Sequence, residues 1–253
     1  VSHLSEGAGV ATTRGDVNFI VTEYGIAELK GKSIYQRVME LAEIAHPKFR
    51  EGLIEEAKKH HYIFADQLPP HQEDLIFLED YKSTFQLPNG KEIDFRPLLP
   101  SDEFEFRNFF YSLQEETIYY RFFYHRKLFS HQVIQEQWAA VDYRKNMSIV
   151  GVTSSGGHKE IMAIGSYAMA EEEGRAEVAL MIREDFQGQG VGSYLVRILQ
   201  RIASENNYRG FTATVLEENA GMIHVFIKLY PHSKMQRIGN EILIDMDFED
   251  SAF

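Results

Sequence analysis

Apolar residues first recur at helical spacing at Ile34, Val38, Leu41, Ala42 and Ala45, behind Ser33, a good capping residue. Pro47 interrupts that run. A second helix follows, with Phe49, Leu53, Ile54 and Ala57 on one face. Before them, "VATTR" and "DVNFIVTEYGIAEL" read as short strands with turns. "KKHHYIFADQLPPHQED" is polar, carries Pro69-Pro70 and reads as a linker with solvated histidines. The strands "YKSTFQL" and "KEIDFRPL" then flank the turn Pro88-Asn89-Gly90. "SDEFEFRNFFYSL" predicts a helix capped by Ser101, with Phe106, Phe109, Phe110 and Leu113 inward. After the aromatic stretch "TIYYRFFYHRKLF" come three strands, "MSIVGVTS", "EIMAIGSYAMA" and "RAEVALMIR". Their turns are Ser155-Gly156-Gly157 and Glu173-Gly174. A glycine loop, a helix, the strand "GFTATVL", a helix from Asn219 and a hairpin around Gly239-Asn240 complete the pattern. Strands outnumber helices without strict alternation. That predicts an α/β (α+β) fold with a mixed, mostly antiparallel sheet flanked by helices, rather than a doubly wound one.

Composition narrows the function. With 253 residues, 44% of them hydrophobic, the chain can build a substantial core. A net charge of -12 argues against broad binding to nucleic-acid phosphates. The absence of Cys removes thiolate and disulfide chemistry and suits a reducing compartment, so a cytoplasmic location is expected. No apolar run reaches a membrane span of roughly 18 residues, and there is no signal peptide, so no membrane partner is expected. His125, His131, His158, His224 and His232 show no metal-ligand spacing, so no metal is expected. Val1 opens in mid-pattern without a starting Met, as in a piece of a longer protein.

The stretch with most chemistry is "QGQGVG", Gln187 to Gly192. It follows a strand and precedes a helix with Val191, Leu195, Ile198, Leu199 and Ile202 on one side. Glycine amides can lie flush against a ligand. The first-turn amides of the helix lack acceptors and sit at its positive end. Together they would cradle an anion, and a pyrophosphate fits best. A glycine-rich helix cap or hairpin turn is the bland alternative. The spacing is neither a P-loop nor a dinucleotide fingerprint. It matches Q/R-x-x-G-x-G/A and resembles the acetyl-CoA motif of the GNAT N-acetyltransferases. The order of elements through "GFTATVLEENAGMIHVFIKLY" agrees, and the region from about Phe95 to Val152 resembles bacterial protein lysine acetyltransferases of the Pat type.

The resemblance implies roles. The backbone of Leu180, Met181 and Ile182 would pair with the pantetheine arm. The amides of Gln187, Gly188, Gln189, Gly190, Val191, Gly192 and Ser193 would hold the pyrophosphate. Asn219 and Phe226 would border the arm and thioester. Many members carry a tyrosine at the position of Phe226, whose hydroxyl protonates the leaving thiolate; phenylalanine cannot.

The acceptor amine poses a separate problem. Only about 1 lysine in 2,500 is neutral at pH 7, so deprotonation costs roughly 4–5 kcal/mol. A placed carboxylate can take that proton. Glu177 shares a strand face with Ala179 and Met181, a partly apolar setting where desolvation would strengthen a base. The Pat-type resemblance places the base at this position. The alternative is an exposed strand-end glutamate paired with Arg175. Glu217 and Glu218 read as solvated. The aromatics of residues 104–129 read as core, although Tyr119, Tyr120 and Tyr124 could line an entrance.

The first part, about Gly7 to Ala57, resembles the C-terminal end of the acetyl-CoA hydrolase/CoA-transferase family, especially in "VTEYGIAELKGKS" and "IAHPKFR". That family's nucleophilic glutamate lies in a motif absent here, so this piece is expected to be inactive alone and to belong with a parent CoA-transferase body. The expected domains are 1–75, the CoA-transferase-like end with its linker, and 76–253, the acetyltransferase. The function expected is transfer of acetyl from acetyl-CoA to an amine, a protein lysine, with Glu177 as general base. The alternative is a non-catalytic acyl-CoA-binding module that regulates the attached CoA-transferase.

Overall fold

A computed structural model describes residues 7–9, 12–13, 15–67, 79–124, 146–155, 158–170 and 174–253. They form two compact units. One holds the described residues up to 67 together with Leu99–Phe104. The other holds 79–98, 105–124 and the described residues from 146 onward.

In the first unit, β1 (Phe19–Thr22) and β2 (Gly25–Glu28) pair antiparallel, Phe19 opposite Glu28 and Thr22 opposite Gly25. Helices α1 (Ile34–Glu43) and α2 (Pro47–Lys59) follow. Ser33 caps α1 in a reciprocal pair with Gln36: its hydroxyl accepts from the Gln36 amide (3.2 Å) and its amide donates to Gln36 Oε1 (3.0 Å). Pro47 does more than stop α1. It opens α2 from the first turn, where its missing N–H has no helical partner to lose.

The helix faces differ from those expected. Met39 and Ala42 of α1 are buried with Ile54 and Ala57 of α2, whereas Ile34 is 47% and Phe49 59% exposed. The buried positions of α2 are Arg50, Ile54 and Ala57, an i, i+4, i+7 row, and Phe49 lies about 100° off it. Arg50 fits inside because its Nε donates to the Ala45 carbonyl. His60 and His61 are exposed, as expected of solvated histidines, but Lys58 and Lys59 end α2 and Ile63 and Gln67 are buried, so this segment packs. Val10, Ala11 and Arg14 of "VATTR", the Pro69-Pro70 pair, His125 to Phe129, His131 and the turn residues Gly156, Gly157 and Glu173 lie outside the described residues.

The second unit is one sheet with helices packed on it. Its elements are β3 (Ser83–Gln86), β4 (Glu92–Pro97), α3 (Glu103–Ser112), α4 (Glu115–Phe122), β5 (Met147–Ser155) and β6 (His158–Met169). They continue through β7 (Arg175–Ile182), α5 (Val191–Glu205), β8 (Gly210–Leu216), α6 (Ala220–Leu229), β9 (Lys234–Ile238) and β10 (Glu241–Asp247). The strand order is β3-β4-β5-β6-β7-β8-β10-β9, and every neighbouring pair is antiparallel except β7–β8. The mixed, mostly antiparallel sheet is therefore as expected. Phe106, Phe109 and Phe110 of α3 are buried, as is Leu113 just beyond its end, but Ser101 does not cap the helix. It lies in a 3₁₀ turn, Pro100–Asp102, closed by Asp102 accepting from the Leu99 amide.

Helix α5 packs on the sheet through one apolar side. Leu195, Val196, Ile198, Leu199 and Ile202 all join the main core with Ile149, Ala163, Val178 and Leu180 of the sheet. Each such side chain contributes about 1.5–3 kcal/mol. That packing fixes where the N-terminus of α5 points, and so fixes the site.

Candidate active site

The parallel pairing of β7 and β8 is short. It covers Arg175 with Gly210, Ala176 with Phe211 and Glu177 with Thr212, then ends. Beyond it β7 runs on to Ile182 beside β6, and β8 runs to Leu216 beside β10. The sheet thus splits open at Glu177.

Backbone direction along the gap follows from two bonds. The Ala170 amide donates to the Arg175 carbonyl, and the Arg183 amide donates to the Met162 carbonyl. Odd-numbered residues of β7 therefore bond to β6, and even-numbered ones turn the other way. Leu180 and Ile182 present their N–H and C=O groups on the side that β8 has left. Met181 turns its backbone to β6 instead, so of the three residues expected to pair with the arm only two face the gap. Gln187 Nε2 already donates to the Ile182 carbonyl at 2.8 Å.

At the end of β7 a 3₁₀ turn, Glu184–Phe186, leads into the glycine loop. Gly188 and Gly190 have φ of 69° and 89°, in the left-handed region. Gly190 is the N-cap of α5 and has no side chain to satisfy the first turn. The amides of Val191, Gly192 and Ser193 thus start the helix without a side-chain cap, an arrangement that accepts an anion. Gln189 Nε2 donates to the Asp185 carbonyl and closes the loop on itself. The Gln187 amide donates to the Glu184 carbonyl at 3.2 Å, so it is already committed and leaves the expected cradle.

The remaining expected residues divide. Asn219 caps α6, its Oδ1 accepting from the Met222 amide at 3.1 Å. Phe226 is 1% exposed and belongs to the core, while half-buried Met222, Ile223 and Val225 pack beside it. Glu177 is exposed, so desolvation is not what its surroundings supply. Nor does it pair with Arg175. That guanidinium is buried, with Nη2 donating to Asp247 Oδ1 at 2.6 Å and Nη1 to the Met246 carbonyl. Helix α4 packs against β7, and on it burial pulls the Arg121 guanidinium below the ordinary arginine range while the Glu177 charge acts the other way. Glu217 and Glu218 are exposed, and Glu217 pairs with Arg237 at 2.6 Å. Among the described residues, no group of three or more His, Cys, Asp or Glu is placed to hold a metal, and no helix is long and apolar enough to cross a membrane.

Residues 93–229 match the acetyltransferase (GNAT) domain, and these take in both the splayed strands and the glycine loop. The chain belongs to that family. Residues 1–57 match the acetyl-CoA hydrolase/transferase C-terminal domain. A 4-hydroxybutyrate coenzyme A transferase of Clostridium kluyveri is 55% identical over 56 residues, which are 22% of this chain and 13% of that protein. The acetyltransferase PA5475 of Pseudomonas aeruginosa is 32% identical over 123 residues, 49% of this chain and 66% of that protein. The GNAT domain of S. lividans PAT has the same fold, with a TM-score of 0.59 at 24% identity, covering 67% of this chain and 98% of that one. The chain therefore spans a small part of the CoA transferase and just under two thirds of the curated acetyltransferase.

Three sets of contacts carried no sequence signal, although Tyr120 itself is a candidate for the entrance. Glu184 Oε1 accepts from the Gln114 amide (2.9 Å) and the Thr117 hydroxyl (2.6 Å), tying the start of α4 to the turn before the glycine loop. Tyr120 donates to Glu116 Oε1 at 2.7 Å, which with burial and the nearby Glu218 charge raises its phenol above the ordinary range. Phe85 and Tyr194 pack at 4.7 Å between ring centres beside Gly190. These contacts join residues 67 to 109 apart in sequence or depend on a local turn, so no periodicity announces them.

Proposed function

We propose that residues 76–253 transfer acetyl from acetyl-CoA to an amine, a protein lysine, by direct attack with Glu177 as general base. The supporting observation is the opening of the sheet at Glu177. From there the free side of β7 leads over roughly 16 Å of extended strand to the uncapped start of α5. The amide chain of the pantetheine arm pairs with Leu180 and Ile182 as a short added strand, and the pyrophosphate rests on the amides from Gly188 to Ser193. This sets the thioester near Glu177. A neutral lysine amine attacks the thioester carbonyl, a C–N bond forms, and its proton passes to Glu177 directly or through water. The C–S bond then breaks. The thiolate takes its proton from solvent, since Phe226 has no hydroxyl and is buried.

Residues 1–75 are proposed to be the CoA-transferase-like end of a larger body and to have no transferase activity alone. The exposed apolar face of the β1–β2 hairpin, Phe19, Val21 and Ile26, supports packing against such a body. A non-catalytic acyl-CoA-binding module remains the second reading, favoured by Phe226 where a hydroxyl would serve the leaving group.

Kinetics separate the two. Glu177→Gln keeps the shape and removes the proton acceptor, so kcat should fall roughly 10²- to 10⁴-fold with acetyl-CoA affinity nearly unchanged. Raising the pH should restore part of the loss, because more lysine is then neutral unaided. Full activity in the glutamine variant would remove Glu177 from the mechanism. Acetyl-CoA binding by the wild type without turnover on any amine would favour the regulatory module.

A further inference from the structure

The glycine loop has little of its own to hold it. Gly188 and Gly190 bring no side chains, and glycine backbone is the least restricted of all. Freedom left in the loop is lost when a ligand binds, and that loss weakens binding. Its own chain supplies two fastenings, the Gln187 amide to the Glu184 carbonyl and Gln189 Nε2 to the Asp185 carbonyl. Both act before Gly190.

The hairpin of β3 and β4 supplies the rest. At the start of the loop, Lys91 Nζ lies 5.9 Å from the ring centre of buried Phe186. At its end, Phe85 Cζ lies 3.4 Å from the position a Cβ on Gly190 would take. Chain neighbours aside, that ring is the one group among the described residues within 4 Å of that position. In the first turn of α5, the Tyr194 hydroxyl donates to the Thr84 carbonyl at 3.2 Å. The Tyr194 ring centre lies 4.7 Å from that of Phe85 and 5.1 Å from that of Phe95. Phe85 pairs with Ile93 and Ser83 with Phe95, so the two phenylalanines are diagonal neighbours on one hairpin face. The chain just before β3 holds the far half of α5. There the Asp80 carbonyl accepts from Arg201 Nη2 at 3.4 Å, and Tyr81 packs on the core that α5 joins.

We propose that Phe85 is a positioning residue of the site: with the Tyr194–Thr84 bond it fixes Gly190 and the first turn of α5, so that the amides from Gly190 to Ser193 face the pyrophosphate before acetyl-CoA arrives. The inference rests on the pyrophosphate reading of the glycine loop. Phe85 acts through Gly190 and need not touch the cosubstrate. It is itself half-buried and Gly190 is exposed, so the ring tip meets the loop at the surface rather than inside the core. A held loop gives its amides one direction in the free protein, and binding then orders less chain.

Backbone-amide NMR on the full chain tests this without an acceptor. Titration with acetyl-CoA is compared with titration by S-acetylpantetheine, which has the arm and the thioester but no pyrophosphate. In Phe85→Ala the acetyl-CoA midpoint should rise roughly 5- to 30-fold, as expected when about one residue must be ordered on binding. The S-acetylpantetheine midpoint, followed at Leu180 and Ile182, should stay at the wild-type value. Phe85→Leu, which restores apolar bulk beside Gly190, should recover most of the loss. Tyr194→Phe keeps the ring and deletes the hydroxyl, and should weaken acetyl-CoA roughly 2- to 3-fold. If alanine prevents folding, Tyr194→Phe carries the test with the same two ligands. An unchanged acetyl-CoA midpoint would overturn the proposal. Equal weakening of both ligands would also overturn it, since Phe85 would then serve packing alone. Wild-type acetyl-CoA affinity in Gly190→Glu would instead refute the pyrophosphate reading beneath it.

Discussion

Gly190 and Gly192 stand two residues apart and are glycine for different reasons. Gly190 holds φ of 89°, and a Cβ there would also meet the Phe85 ring at 3.4 Å. Gly192 has ordinary helical geometry, and its Cβ would lie 3.3 Å from Ile182 Cδ1 and 3.5 Å from Val225 Cγ2. Both contacts are the ends of side chains that can yield. Gly190→Ala should therefore destabilise the protein by about 1–2 kcal/mol, the cost of the left-handed conformation. Gly192→Ala should be close to neutral, because about 1 kcal/mol of helix propensity offsets the crowding. Urea midpoints of the two variants measure the difference, and the reverse order would show that packing rather than backbone strain sets these positions.

Helix α6 begins at Asn219, and its start is local chemistry. The Asn219 side chain satisfies the Met222 amide, so Asn219→Ala should cost about 1 kcal/mol and Asn219→Ser much less. A loss of acetyl-CoA affinity in the alanine variant without loss of stability would instead give Asn219 a role in binding. Elements of this kind are legible in sequence because the signal lies within one turn. The Asn219 cap, the Ser33 cap, the inward phenylalanines of α3 and the strands β5 to β7 were all readable that way. The buried face of α2 was not, because Arg50 occupies a position that a hydrophobic count skips, leaving Phe49 as the apparent member. Ser101 failed as a cap because the chain enters α3 through Pro100 and Asp102. The acceptor side of the site was least legible. Glu184 holds the start of α4 from a distant part of the chain, and "TIYYRFFYHRKLF" shows aromatics before it shows a helix with a charged last turn.

At the scale of the whole molecule, a chain of net charge -12 has to attract an anionic cosubstrate locally. The structure offers amides and a helix end for this, with the nearby Arg183 already bonded to Asp185 and Glu160. Loop amides and a helix dipole act within a turn of the helix and are screened little when covered by ligand. The glycine loop, the open edge at Leu180 and Ile182, and Glu177 thus form one path along β7, and acetyl-CoA is proposed to lie on it. Isothermal calorimetry with acetyl-CoA tests this most directly. The wild type should bind with micromolar affinity, and Gly190→Glu, which puts a side chain and a negative charge into the cradle, should show no binding while remaining folded by circular dichroism. Equal affinity in the two proteins would mean that the pyrophosphate does not sit at the start of α5.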